Sequence, residues 1–144
     1  MKNLTKNLSL MIIVFFFSTV FLYSKTNFFS DAKILFEKKK YNKSKFLFEK
    51  DIVYNPKNEK SYLFLAKIFK KEKNDNLLEN NLNTVLILNP KNEEAIYLLT
   101  LLNIKKSNFI KAKELMVTMN SVCVKLCATK KELEKKLDDS LKSK

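Results

Sequence analysis

Asn55-Pro56-Lys57-Asn58-Glu59 recurs, residue for residue, as Asn89-Pro90-Lys91-Asn92-Glu93. Pro56 and Pro90 are the chain's only 2 prolines, and the offset between them is 34. The register extends outward from both copies. Sliding forward by 34 pairs Tyr62 with Ile96, Leu65 with Leu99, Leu82 with Met116 and Val85 with Met119. Sliding back by 34 pairs Leu35 with Phe69, Tyr41 with Asp75, Ser44 with Leu78 and Phe48 with Leu82. Proline fixes φ and lacks an amide proton, so it falls in the loops between helices. Beyond residue 30 the pattern is helical throughout, and a fixed period of 34 in helical sequence marks an array of stacked helix pairs. That register predicts Leu65, Ala66, Leu82, Val85 and Leu99 in the core, with Lys57 and Lys91 exposed in loops.

Start and stop signals divide the array. They predict helices near 31–40, 43–54, 59–72, 76–88, 93–105 and 109–122. Asn58 and Asn92 precede Glu59 and Glu93, placing an N-cap ahead of acids that complement the helix dipole. Asn42, Asp75 and Ser107 or Asn108 stand where the second helix of each pair should begin. Thr129-Lys130-Lys131-Glu132 reads as a capping box opening a last helix, with Leu133, Leu137 and Leu141 as one narrow apolar stripe. None of these helices buries its stripe alone, so stacking must supply the stability, and the last helix suits the capping element a solenoid needs.

The period and its key positions resemble the tetratricopeptide repeat (TPR) family over residues 28–124, as repeats of about 28–58, 59–92 and 93–124, with a capping helix over 129–142. The family's small residue in the first helix is matched by Ala32, Ala66 and, less closely, Thr100. Its large apolar neighbour is matched by Leu35 and Phe69, while Asn103 departs. Its small residue in the second helix is matched by Ser44 and Ala112, with Leu78 oversized. Its closing proline is Pro56 and Pro90, where the third repeat has Val124. The glycine it often carries at the turn within each pair is never present.

The resemblance implies an all-α, right-handed TPR solenoid of about three helix pairs plus a C-terminal capping helix. It also implies a concave groove lined by the first helix of each pair. In this register Phe29, Lys33 and Phe36 line it from the first repeat, and Leu63, Phe64, Lys67, Lys70 and Lys71 from the second. Tyr97, Leu98, Leu101 and Ile104 come from the third. The family's carboxylate clamp is not matched, since the equivalent positions hold Lys33, Lys67 and Leu101. Apolar and aromatic residues mixed with lysines suit a protein partner, a peptide or amphipathic helix of acidic leaning. The alternative is that the last helix or the N-terminal segment covers several of the apolar residues.

Composition removes most catalytic classes. The sequence contains no glycine, histidine, tryptophan or arginine. A glycine-rich phosphate loop, an imidazole base or metal ligand, and a bidentate guanidinium fork are therefore all excluded. Glu93-Glu94 and Asp138-Asp139 are adjacent pairs whose side chains diverge around a helix, and they read as solvated helix-end charge. No catalytic residue, metal site or cofactor is expected, and the chain reads as no enzyme. The formal charge is +13, carried by lysines scattered through every segment. It reads first as solvated surface, then as attraction for an acidic partner or an anionic membrane face, and nucleic acid is not an expected partner.

Cys123 and Cys127 are the only 2 cysteines. A metal site would need carboxylates to complete it, whereas a disulfide fits an exported chain. Cβ atoms four residues apart on a helix lie ~5–6 Å apart, against the ~3.5–4.5 Å of a disulfide. A bond therefore requires the helix to end or distort between Val122 and Ala128. Two free buried thiols and a redox pair are the alternatives.

Lys2 and Lys6 precede a largely apolar run, Leu10–Tyr23, with Ser18 and Thr19 inside it. That run is short of the ~20 residues needed to span a bilayer and within the ~7–15 of a signal core. Residues 1–24 thus read as a cleaved signal or an uncleaved membrane anchor, with a buried N-terminal helix of a cytoplasmic protein as the remaining reading. The expected location is the periplasm of a Gram-negative cell, or the inner membrane with the array facing the periplasm. The expected function is a non-catalytic interaction scaffold or assembly factor of the cell envelope. The other reading is a membrane-surface protein held to anionic lipid by its lysines.

Overall fold

The computed structural model describes residues 27–142, so the signal or anchor expected at 1–24 lies outside the described residues. The helices are α1 (Phe28–Glu37), α2 (Tyr41–Tyr54), α3 (Glu59–Lys71), α4 (Asp75–Leu88), α5 (Glu93–Lys105) and α6 (Phe109–Val122). A 3-10 turn over Cys127–Thr129 leads into α7 (Lys130–Lys142), and no described residue lies in a strand. α1 packs on α2, α3 on α4 and α5 on α6; α2 then packs on α3, α4 on α5, and α7 on α5 and α6. One continuous apolar core runs from Ala32 to Met119. Leu65, Ala66, Leu82, Val85 and Leu99 all lie in it, and Lys57 and Lys91 are exposed, as the repeat register requires. A smaller cluster of Ile104, Ala112 and Leu137 seats α7.

The turn inside each pair shows the period again. Lys39, Lys73 and Ser107 have φ of 58°, 56° and 57°, in the left-handed region. The amides of Lys40, Asn74 and Asn108 then donate back to the carbonyls of Leu35, Phe69 and Asn103, closing each helix in a Schellman motif. Glycine takes that conformation without steric cost; a residue with a Cβ gives up about 1–2 kcal/mol. This flip explains why α1 stops at Glu37 and not near 40.

Helix starts differ from expectation where side chains found other partners. Asn27 Oδ1 accepts from the Ser30 amide at 3.2 Å, so α1 begins at Phe28. Asn74, Asn92 and Asn108 cap α4, α5 and α6 through the amides of Leu77, Ala95 and Lys111. Asn42 and Asp75 fall inside helices, and Lys40 stands at the start of α2 without a side-chain bond. The capping box at 129–132 does not form. Thr129 Oγ1 donates to the Leu126 carbonyl, and Glu132 turns to Tyr97 and Lys136. On α7 only Leu133 and Leu137 are buried; Leu141 is 42% exposed.

Asn58 also fails to cap its helix, because a buried carboxylate claims it. Asp51, at the C-terminal end of α2, is 2% exposed. Its Oδ2 accepts from Ser61 Oγ at 2.5 Å and from Asn58 Nδ2 at 2.7 Å, and its Oδ1 from Asn55 Nδ2 at 3.0 Å. One repeat later Val85 and Ala95 occupy the positions of Asp51 and Ser61, both buried and apolar. The seam between the first and second repeats is thus polar, and the next is dry.

Candidate functional site

The first helices α1, α3 and α5 lie side by side along one face. At its start, half-buried Phe29, Phe36 and Phe64 pack over buried Phe48. Phe64 stacks on Phe48 with centroids 5.0 Å apart, and Phe36 meets Phe64 edge-on at 5.0 Å. Lys67 Nζ sits 4.8 Å above the Phe64 ring and 2.8 Å from Glu94 Oε1, which ties α3 to α5. Lys71 Nζ lies 5.0 Å over the Tyr41 ring. Such contacts hold ammonium groups in place over the rings; Lys67 is neutralised by Glu94, and Lys71 makes no ion pair among the described residues.

Beyond Lys67 the face opens into a cleft of about 700 Å³ lined by Lys70, Asn92, Glu93, Glu94, Tyr97, Leu98, Lys125 and Leu126. Its far wall is the loop after α6. Cys123 turns to extended backbone (φ −65°, ψ 136°), ending the helix, and a Cys123–Cys127 disulfide with Cα atoms 5.3 Å apart closes the loop. The loop's amides then meet Glu93: Leu126 N donates to Oε2 at 2.7 Å and Lys125 N at 2.9 Å. These donors, Leu126 first, hold the Glu93 carboxyl below its ordinary value. Tyr97 Oη donates to both Glu132 oxygens at 3.3 Å, pinning α7 to α5. Burial and the Glu132 charge push the Tyr97 phenol up, while Lys136, 3.0 Å away, draws the Glu132 carboxyl down.

Solved structures superpose on this arrangement over most of its length. The TPR2B domain of yeast Sti1, in complex with pHsp70, matches with a TM-score of 0.66 at 14% identity, over 78% of this chain and 92% of that one. The first TPR of Spaghetti (RPAP3), bound to the HSP90 peptide SRMEEVD, gives 0.68 at 17% identity, over 78% and 91%. The Yersinia enterocolitica type III secretion chaperone SycD, with a peptide of the translocator YopD, gives 0.68 at 13% identity, over 81% and 92%. The fold is a TPR solenoid. No protein-family model and no curated protein matches the chain.

Within the TPR array the twelve expected groove positions divide. Lys70, Tyr97 and Leu98 meet in the cleft, and Phe29, Phe36, Phe64, Lys67 and Lys71 form the aromatic floor and its cationic lip. Leu63 and Leu98 are 8% and 7% exposed, so both serve the core more than the surface. Leu101 is half-buried, Ile104 lies beneath α7, and Lys33 is exposed beside Glu37 at 3.8 Å. Glu93 and Glu94 open α5 and stay partly exposed, as helix-end charge does, but they do more than face solvent. Each is engaged, and with Lys125 and Leu126 they are the cleft residues that sequence does not reveal. Among the described residues no three of His, Cys, Asp and Glu gather as a metal site.

Proposed function

We propose that this TPR array is a non-catalytic protein-interaction scaffold that holds a peptide or amphipathic helix in the groove of α1, α3 and α5. One observation carries the reading: the cleft beside Lys70 is open, and its two carboxylates are already occupied. Glu94 pairs with Lys67 and Glu93 accepts the loop amides, whereas Lys70 makes no ion pair among the described residues. An incoming acidic side chain therefore meets lysines, and the aromatic floor and Leu126 take apolar ones. Solved TPR structures that hold a peptide, such as those of RPAP3 and SycD, lend support. A photocrosslinking residue at Leu101 should trap a stoichiometric, salt-resistant polypeptide, and adding Lys70→Glu should cut the yield. Equal trapping from Lys113 on α6 counts against the groove.

The location that goes with this role is the bacterial envelope, in the periplasm or on the inner membrane facing it. The apolar run at 10–23 and the disulfide support it, since disulfides persist in oxidising compartments. Intact-mass measurement of native protein tells a cleaved signal from a retained anchor by the presence of Met1 to Ser24.

A further inference from the structure

Beside the groove, with which it shares Lys125, one edge of the array repeats with the same period. Lys57, Lys91 and Lys125 follow one another at that period and are all exposed. Val53 and Ile87 are another pair in the same register, exposed at 75% and 79%, joined by Tyr54 at 68% and Val124 at 81%. All lie in or beside the α2–α3 loop, the α4–α5 loop and the disulfide loop. Because successive helices run in opposite directions, these loops share one end of the array, and the turns at Lys39, Lys73 and Ser107 share the other. α1 starts at the first end, where the Phe28 ring lies 5.4 Å from that of Tyr54 and Lys50 Nζ 5.6 Å from Phe28. Lysines that look scattered in the sequence are thus gathered by folding around exposed aliphatic and aromatic side chains. That is the composition of a surface that sinks apolar groups beneath lipid headgroups while ammonium groups reach the phosphates. The acids at this end are Asp31, Glu49, Asp51, Glu59, Glu93, Glu94 and Glu132; Asp51 is buried and hydrogen-bonded, Glu93 is held by the loop amides, and Glu94 and Glu132 pair with Lys67 and Lys136.

We infer that this edge docks on the headgroup zone of an anionic bilayer. The chain itself says what covers it. The apolar run ends at Tyr23, and only Ser24, Lys25, Thr26 and Asn27 separate it from Phe28, about 14 Å of fully extended backbone. A membrane holding residues 10–23 meets this edge first, because the opposite edge lies a further helix length away, about 15 Å for α1. A helix of the run's length is about 21 Å long against about 30 Å of hydrocarbon, and such mismatch draws the adjoining residues into the interface. The opposite edge is basic too, but part of its charge is spent in the pairs Lys45–Glu72, Lys105–Asp75 and Lys106–Glu79. The inference rests on retention of the N-terminal segment and is independent of what the groove binds.

The chain has no tryptophan, so a single introduced indole is an unambiguous probe. Full-length Val53→Trp and Ile87→Trp proteins are placed in phosphatidylcholine–phosphatidylglycerol vesicles carrying headgroup-proximal nitroxide lipid. Ile110→Trp, also highly exposed but at the α5–α6 turn, is the reference for the opposite edge. Val53→Trp and Ile87→Trp should be blue-shifted and quenched severalfold more than the reference. Omitting phosphatidylglycerol, or adding Lys57→Glu and Lys91→Glu together, should reduce the difference. Equal quenching at the three positions, or stronger quenching at Ile110→Trp, overturns the inference. Neither result bears on crosslinking from Leu101, so the two proposals fail separately.

Discussion

A carboxylate taken out of water needs its lone pairs answered, and Asp51 is answered by Ser61, Asn58 and Asn55. Hydrogen bonds to such a group contribute about 1.5–3 kcal/mol each, so Ser61→Ala should lower stability by about that much in urea unfolding. Asp51→Val with Ser61→Ala copies Val85 and Ala95 one repeat on, and should recover part of the loss. A double variant as unstable as the sum of its parts would show that the site tolerates no dry packing. Asp51 was not read from the sequence, although its repeat mates Val85 and Met119 are apolar and mark an inward-facing position. Its donors were not legible, since Asn58 looks identical to the capping Asn92 until the carboxylate beside it is seen. At Lys73 the left-handed turn carries a Cβ where none is wanted. Lys73→Gly should stabilise the fold by about 1 kcal/mol, read as a rise in Tm.

At the scale of elements, all the repeat helices were legible from periodicity, and their ends less so. Asn27 starts α1 three residues before the expected helix, and the capping box gives way because Glu132 gains both Tyr97 and Lys136. The loop after α6 was legible only in outline: the cysteine spacing requires the helix to end there, as it does, but not that Glu93 receives the loop. Reducing Cys123–Cys127 should speed amide exchange across 123–142 and barely alter the first two repeats, since each repeat contacts only its neighbours. Exchange that changes uniformly along the chain would deny the loop that local role. Acid should act at the same place. The folded Glu93 carboxyl titrates below its ordinary value of 4.5, so its contribution is complete above the ordinary carboxylate range and disappears as pH falls through the depressed value. Protection at the Lys125 and Leu126 amides should hold from neutral pH down to that point and then drop, whereas Glu93→Gln should weaken it at neutral pH and abolish the drop.

For the whole molecule, one short motif repeated once carried the architecture, because two prolines a full period apart fix where each stack begins. Stacked repeats share one core, so damage at its middle should be felt by all. Leu99, 2% exposed, lies in that core, and Leu99→Ala should cost about 2–5 kcal/mol with a single cooperative transition retained. The groove was legible in part: its lysines and aromatics follow from the register, whereas its far wall depends on a loop path that no repeat encodes. The two seams add a property of order. Asp51 offers a buried acceptor to which Ser61 donates across the seam, while Val85 and Ala95, at the same positions one repeat on, are buried and apolar. If α2 were to stack on α5, whether by slippage within one chain or by exchange between two, Asp51 would be sealed against Ala95 without the Ser61 hydroxyl. Successive repeats therefore carry distinct addresses, and the chain can count its own helices as they assemble.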